Sequence, residues 1–218
     1  MTPLQPEPVT IEGPAGTLQL VVESTDAQQP LALMVLCHPH PLHGGTMDNK
    51  VVTTLARCAH ELRVPSIRFN FRGVGNSAGT FDEGRGEALD TQAVIDYGRH
   101  RWSQAALWLG GFSFGGRVAL RASTGAHVGR VDKLVTVAPA FTGDYASPQE
   151  VHAPGCPWLI VQGDADEVLD PLVNIEWAGR IRPAPQLVVL PGVGHYFHGK
   201  LGALRDVVLP FLSANRPQ

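Results

Sequence analysis

Gly111-Phe112-Ser113-Phe114-Gly115 sets a serine between closely spaced glycines, behind an apolar run at 105–109 and ahead of a helix-like segment at 116–124. A strand that turns sharply into a helix lifts the hydroxyl at the corner clear of the sheet, and small flanking residues leave room for the strain of that corner. A serine hydroxyl is a weak nucleophile until a base takes its proton. The base in turn needs a carboxylate that fixes its tautomer and holds its charged form. Both partner types follow downstream, each where an apolar run ends. Residues 158–162 lead into Gly163-Asp164-Ala165-Asp166-Glu167, and residues 186–190 lead into Pro191-Gly192-Val193-Gly194-His195. Ser113, Asp166 and His195 are therefore candidates for nucleophile, orienting acid and base of an acyl transfer. Asp164 is the main rival acid on a loop that also carries Glu167 and Asp170. A second glycine-serine-glycine match, Gly75-Asn76-Ser77-Ala78-Gly79, lies several residues past its strand and has no helix directly after it. It reads as a glycine-rich turn.

The elements that must position these residues alternate along the chain. Segments 9–12 and 18–22 flank Gly13-Pro14-Ala15-Gly16 and predict an antiparallel hairpin. Strands follow at 31–37, 66–71, 105–109, 133–138, 158–162 and 186–190. Helices are predicted at 49–62, 83–100, 116–124, 172–181 and 201–212, the first carrying Val51, Val52, Leu55, Ala56, Ala59 and Leu62 on one face. Such alternation implies a mostly parallel sheet covered by helices on both faces. Ligands in sheets of this kind sit beyond the carboxyl ends of the strands, where Ser113, Asp166 and His195 all fall.

Composition narrows the function classes. At 218 residues, with 44% hydrophobic and 17% charged residues, the chain is expected to form a single domain, 1–218, with a sizeable core. A net charge of -3 offers no basic stripe for nucleic acid. Residues 1–10 carry three prolines and no apolar core of a signal peptide, and the apolar run at 31–37 is too short to span a bilayer. Three cysteines, Cys37, Cys58 and Cys156, lack zinc spacing and read as reduced thiols, which points to the cytoplasm. The expected partner is a small molecule, with no cofactor and no metal. Oligomeric state is not encoded legibly.

With the serine, acid and histidine in this order, the chain resembles the α/β-hydrolase superfamily. It is most similar to small bacterial members carrying His-Pro-His-Pro and Phe-Arg-Gly-x-Gly-x-Ser segments, here His38-Pro39-His40-Pro41 and Phe71-Arg72-Gly73-Val74-Gly75-Asn76-Ser77. The likeness runs from about Leu31 to Leu212. It implies a mostly parallel eight-stranded sheet and a serine esterase or thioesterase activity. It implies Asp166 as the acid, from the Gly-x-x-Asp pattern counted from Gly163, and His195 as the base, from Gly194-His195. His198, three residues on, is the alternative. The backbone N–H of Phe114 and of His40 are the implied oxyanion donors. Pro39 and Pro41 have no N–H to give, and Leu42 or His43 would be the alternative donor. Asn70 departs from the aspartate common before this arginine, at a position expected to be structural. Only 19 residues run from Pro139 to Pro157, too few for a helical lid, so no cap domain and an open cleft are expected. His43, Phe141 and Tyr196 are expected to line it, with Phe112, Phe114, Tyr145 and Phe197 as further candidate walls.

Other chemistries fit less well. His38-Pro39-His40-Pro41-Leu42-His43 resembles the His-x-His-x-Asp-His motif of metallo-β-lactamase-like hydrolases, but leucine stands where the aspartate belongs. Residues 111–118 resemble a Walker A loop, but Arg117 and Val118 replace its lysine and its hydroxyl residue. A non-catalytic binding module of the same fold would usually have lost a triad residue, and a peptidase or amidase would use the same triad.

Overall fold

The computed structural model describes residues 6–27, 29–125, 129–141 and 152–214. The chain opens with a hairpin, β1 (Pro6–Gly13) and β2 (Gly16–Glu23). There follow β3 (Ala32–Cys37), α1 (Lys50–Glu61), β4 (Ser66–Phe69), α2 (Arg85–Arg101), β5 (Ala106–Phe112) and α3 (Phe114–Ser123). Then come β6 (Lys133–Val137), β7 (Trp158–Gly163), α4 (Pro171–Arg180), β8 (Gln186–Leu190) and α5 (Leu201–Ser213). The described residues form one eight-stranded sheet in the order β1-β2-β4-β3-β5-β6-β7-β8. β1 pairs with β2, and β2 with β4, antiparallel; every other pairing is parallel.

Strand alternation sorts the apolar side chains into two layers. Leu33, Val35 and Cys37 of β3 join Val94 and Ile95 of α2, Val118 and Ala119 of α3, and Ala178 of α4. Ala32, Met34 and Leu36 of the same strand join Val51, Val52 and Leu55 of α1 and Leu204 and Val208 of α5 on the other face. Central strands are buried on both sides, which is why β3, and β7 as far as Val161, read as apolar runs. Helix starts are fixed locally. Asn49 Oδ1 accepts the Val51 N–H at 2.9 Å, and Asp170 Oδ1 accepts the Leu172 N–H at 2.9 Å with Pro171 opening α4. At α2, Glu87 reaches back to the N–H of Gly84 at 2.7 Å and of Asp82 at 2.8 Å.

Element boundaries differ from the sequence reading in one informative place. β5 continues through Gly110, Gly111 and Phe112, paired with Gly111 against Cys37 and Phe112 against Val137, so the strand delivers Ser113 directly at its end. Phe141 departs from expectation. It is fully buried, with its ring 4.3 Å from that of Trp177 and 5.9 Å from that of Trp158. It fills the core beneath α4 and is not a cleft wall. Tyr145 lies outside the described residues.

Polar bonds lock the loops at the carboxyl edge. His38 is buried between two loops: its Nε2 accepts the Phe71 N–H at 3.0 Å, and its Nδ1–H donates to the Pro39 carbonyl at 2.6 Å. Burial pushes this imidazole down to about 4, against the smaller opposing effect of the Pro39 bond. Arg72 grips the fully buried Asp90 through Nε at 3.0 Å and Nη2 at 2.8 Å. Asn70 accepts the Met47 N–H at 2.9 Å and donates to Gln19 Oε1 at 2.9 Å, a structural role as expected for that position. At the opposite edge Lys133, the first residue of β6, donates to the carbonyls of Phe211 at 3.2 Å and Leu212 at 2.7 Å, and to that of Ala214. It thereby satisfies carbonyls that the end of α5 leaves open.

Candidate active site

Three parallel strands of the same sheet, β5, β7 and β8, end at one edge with β6 between the first two, and each leads to one residue. Ser113 follows β5 and is held at φ 55° and ψ -121°, a left-handed corner unusual for a residue with a side chain. Its backbone is over-determined. The Ser113 N–H donates to the Val137 carbonyl at 2.9 Å, and the Ser113 carbonyl accepts from Gly116 at 3.0 Å and Ala140 at 3.1 Å. The glycines allow close approach. A Cβ on Gly111 would sit 2.2 Å from the Gly115 oxygen, and one on Gly115 would sit 2.3 Å from the His38 oxygen. α3 therefore starts in backbone contact with the end of β3.

Asp166 follows β7 and His195 follows β8. His195 Nδ1 lies 2.8 Å from Asp166 Oδ2, and Nε2 lies 3.1 Å from Ser113 Oγ. A carboxylate can only accept, so the bond to Asp166 puts the proton on Nδ1 and leaves Nε2 as acceptor for the serine hydroxyl. Asp166 Oδ1 takes the N–H groups of Val168 at 2.9 Å and Leu169 at 2.8 Å. Burial alone would raise this carboxyl, but the bonds from His195 and from the Leu169 and Val168 N–H groups outweigh it and hold the acid below its ordinary range. At neutral pH Asp166 is a carboxylate. The rival Asp164 is exposed, and its Oδ1 accepts the Gly192 N–H at 2.7 Å.

The histidine is seated from both sides. The ring of buried Phe112 lies 5.0 Å from the imidazole, and Tyr196 meets it edge-on at 5.2 Å. Glu167 Oε2 accepts the His195 backbone N–H at 3.0 Å. Beyond His195, Tyr196 turns outward and is 46% exposed, while Phe197 turns inward against Phe112. His198 is exposed, with Nδ1 2.8 Å from Lys50 Nζ, and is not the residue beside Ser113.

Phe114 is the first residue of α3, so its N–H has no acceptor within the helix. The loop after β3 runs beside it, with the His40 ring 4.9 Å from the Phe114 ring and stacked 4.5 Å from His43. Burial, then the neighbouring His43, pushes the His40 imidazole below its ordinary value. The alternative donors are engaged within the turn: the Leu42 N–H binds His40 Nδ1 at 3.2 Å and the His43 N–H binds the His40 carbonyl at 3.1 Å. Both nitrogens of His38 are likewise committed, which leaves its half of the His-x-His pattern no lone pair aimed outward. Of the aromatic residues expected to wall the cleft, Phe112, Phe114, Phe141 and Phe197 are all exposed by 2% or less; Tyr196 is open to solvent.

The second serine is a strut. Ser77 Oγ donates to the Asn70 carbonyl at 2.7 Å and accepts the Gln19 N–H at 3.0 Å, tying the turn to β2. Sequence reasoning missed Gln162 and Asn174, both buried directly behind Asp166. The available signal was a polar residue, Gln162, closing an otherwise apolar strand.

A mostly parallel sheet flanked by two helical layers, with serine, acid and histidine beyond the carboxyl ends of β5, β7 and β8, defines the α/β-hydrolase class. No protein-family model matches the chain. An uncharacterized protein of Rickettsia prowazekii is 32% identical over 214 residues, spanning 94% of this chain and 87% of its own. Among solved structures, an α/β serine hydrolase without lid from Xanthomonas campestris is 38% identical with a TM-score of 0.88, covering 100% of this chain and 98% of its own. An α/β serine hydrolase homologue from Coxiella burnetii is 40% identical with a TM-score of 0.87, covering 95% of this chain and 97% of its own. The chain belongs to the α/β-hydrolase superfamily, among its small lidless members, and is a hydrolase.

Proposed function

We propose that the protein hydrolyses small or medium acyl esters or thioesters through an acyl-enzyme on Ser113. The observation that carries this reading is the unbroken hydrogen-bonded line from Ser113 Oγ through His195 to Asp166 Oδ2. Ser113 Oγ attacks the acyl carbon as its proton passes to His195 Nε2. The carbonyl oxygen takes the negative charge, and the N–H groups of Phe114 and His40 stabilise it. Collapse of the tetrahedral intermediate breaks the bond to the leaving group, which takes the proton from Nε2. Water then enters, gives a proton to Nε2 and attacks the acyl carbon; Ser113 leaves with that proton. Asp166 keeps its charge throughout, orienting the imidazole and stabilising the imidazolium.

The lidless edge favours acyl groups that are short or flexible, flanked by the exposed His43 and Tyr196. Free thiols at Cys37, Cys58 and Cys156 suit a reducing compartment such as the cytoplasm. Among the described residues no helix is long and apolar enough to cross a membrane. The test is labelling by a fluorophosphonate alongside turnover of p-nitrophenyl esters of graded chain length. Ser113→Ala is expected to abolish labelling and to lower kcat by roughly a thousandfold or more. Turnover near wild type in that variant would overturn the proposal.

A further inference from the structure

Behind the acid lies a second line of bonds that the mechanism above does not use. Gln162 and Asn174 are 0% and 2% exposed. Gln162 Nε2 donates to Asp166 Oδ2 at 3.0 Å, the same oxygen that takes the His195 bond, and to the Gly163 carbonyl at 3.1 Å. Gln162 Oε1 accepts from Asn174 Nδ2 at 3.0 Å, and Asn174 Nδ2 also donates to the Pro139 carbonyl at 2.9 Å. Each amide nitrogen faces only acceptors, so neither amide can be turned over without losing bonds. The next residue, Ala140, donates its N–H to the Ser113 carbonyl at 3.1 Å. The bonds thus close a circuit from the Ser113 hydroxyl through His195, Asp166, Gln162, Asn174 and residues 139–140 back to the Ser113 backbone.

α4 is built around this contact. Its buried residues are Asn174 and Ala178, while Leu172 and Val173 are 74% and 39% exposed. Asn174 Oδ1 is itself buried without a partner, a cost that an apolar side chain at this position would avoid. The position is thus occupied for its two donated bonds rather than for burial.

Resting on the serine-hydrolase reading, we infer that Gln162 and Asn174 are positioning residues that hold Asp166 Oδ2 and the Ser113 corner in register. A carboxylate fixed at both oxygens cannot rotate away from the imidazole, and such small misplacements cost rate at the chemical step rather than in substrate binding.

The test compares Gln162→Met and Asn174→Leu, which preserve approximate volume and remove the donors. Turnover is normalised by fluorophosphonate titration, so that misfolded protein does not count. Each variant is expected to lower kcat at least about tenfold with KM within about threefold. Asn174→Leu is expected to keep or raise Tm. The double variant should be no worse than the weaker single variant, because both act through one path. A second readout needs no substrate: the low-field proton resonance of the His195–Asp166 bond is expected to be displaced in both single variants. A resonance at its wild-type position in both, or kcat within twofold of wild type in both, would overturn the inference. Unchanged turnover in Ser113→Ala would instead overturn the hydrolase reading, and the resonance would still judge the circuit.

Discussion

Two serines in this chain share one local pattern, and their hydrogen bonds separate them. The Ser77 hydroxyl is consumed by the Asn70 carbonyl and the Gln19 N–H, whereas the Ser113 hydroxyl meets an imidazole nitrogen that can accept its proton. The choice between acids follows the same logic. Asp166→Asn keeps the shape of the side chain but can present a donor where His195 needs an acceptor. It is expected to lower kcat by about ten-thousandfold, the scale known for such a change. Asp164→Asn is expected to stay within a few-fold of wild type, since Asp164 braces only the Gly192 N–H. Stopped-time ester assays on the two variants check this; a larger loss at Asp164 than at Asp166 would reverse the assignment. That Ser113, Asp166 and His195 would meet was legible because each lies just past the carboxyl end of a recognisable strand. Gln162 and Asn174 were not legible. Their contact joins a strand end to the first turn of a helix 12 residues on, and an amide carries no distinctive signal in either place.

Among the elements, the junction of β5 with α3 decides the geometry. The sequence reading ended β5 early because glycines interrupt its apolar pattern. The glycines are needed there for the close approach of α3 to β3. Gly115→Ala would drive a methyl group to 2.3 Å from the His38 oxygen, where backbone on both sides leaves nothing flexible to yield. The expected loss exceeds the roughly 1–3 kcal/mol usual for overpacking, with turnover falling in the protein that still folds. Thermal unfolding of this variant is the check, and a wild-type Tm would contradict the packing. Phe141 shows the opposite limit of sequence reading. Its aromatic ring at the carboxyl edge suggested a cleft wall, but only tertiary packing reveals Trp158 and Trp177 waiting on the core side.

For the molecule as a whole, stability should depend on acidity through the buried His38. Its folded-state value of about 4 lies below the ordinary 6.5, so between those limits the unfolded chain binds a proton that the native state refuses. Stability is therefore full above pH about 6.5 and falls as the solution is acidified toward 4. The expected loss from this group between pH 7 and 4.5 is on the order of 2–3 kcal/mol. Asp166 adds a loss at still lower pH, because its depressed carboxyl contributes above its unfolded value and fades as it protonates. Urea midpoints across this range, compared with His38→Gln, measure the first effect; an equal pH slope in the variant would remove His38 as its source.

The grip of Lys133 on the last turn of α5 has a practical corollary for handling the enzyme. Lys133 begins β6, whereas Ser113 stands beyond the far end of the adjacent parallel strand, so Ala214 is fastened on the side of the sheet away from the cleft. Immobilisation through a side chain at the end of α5 would hold the edge of the sheet opposite the cleft and leave substrate access unobstructed.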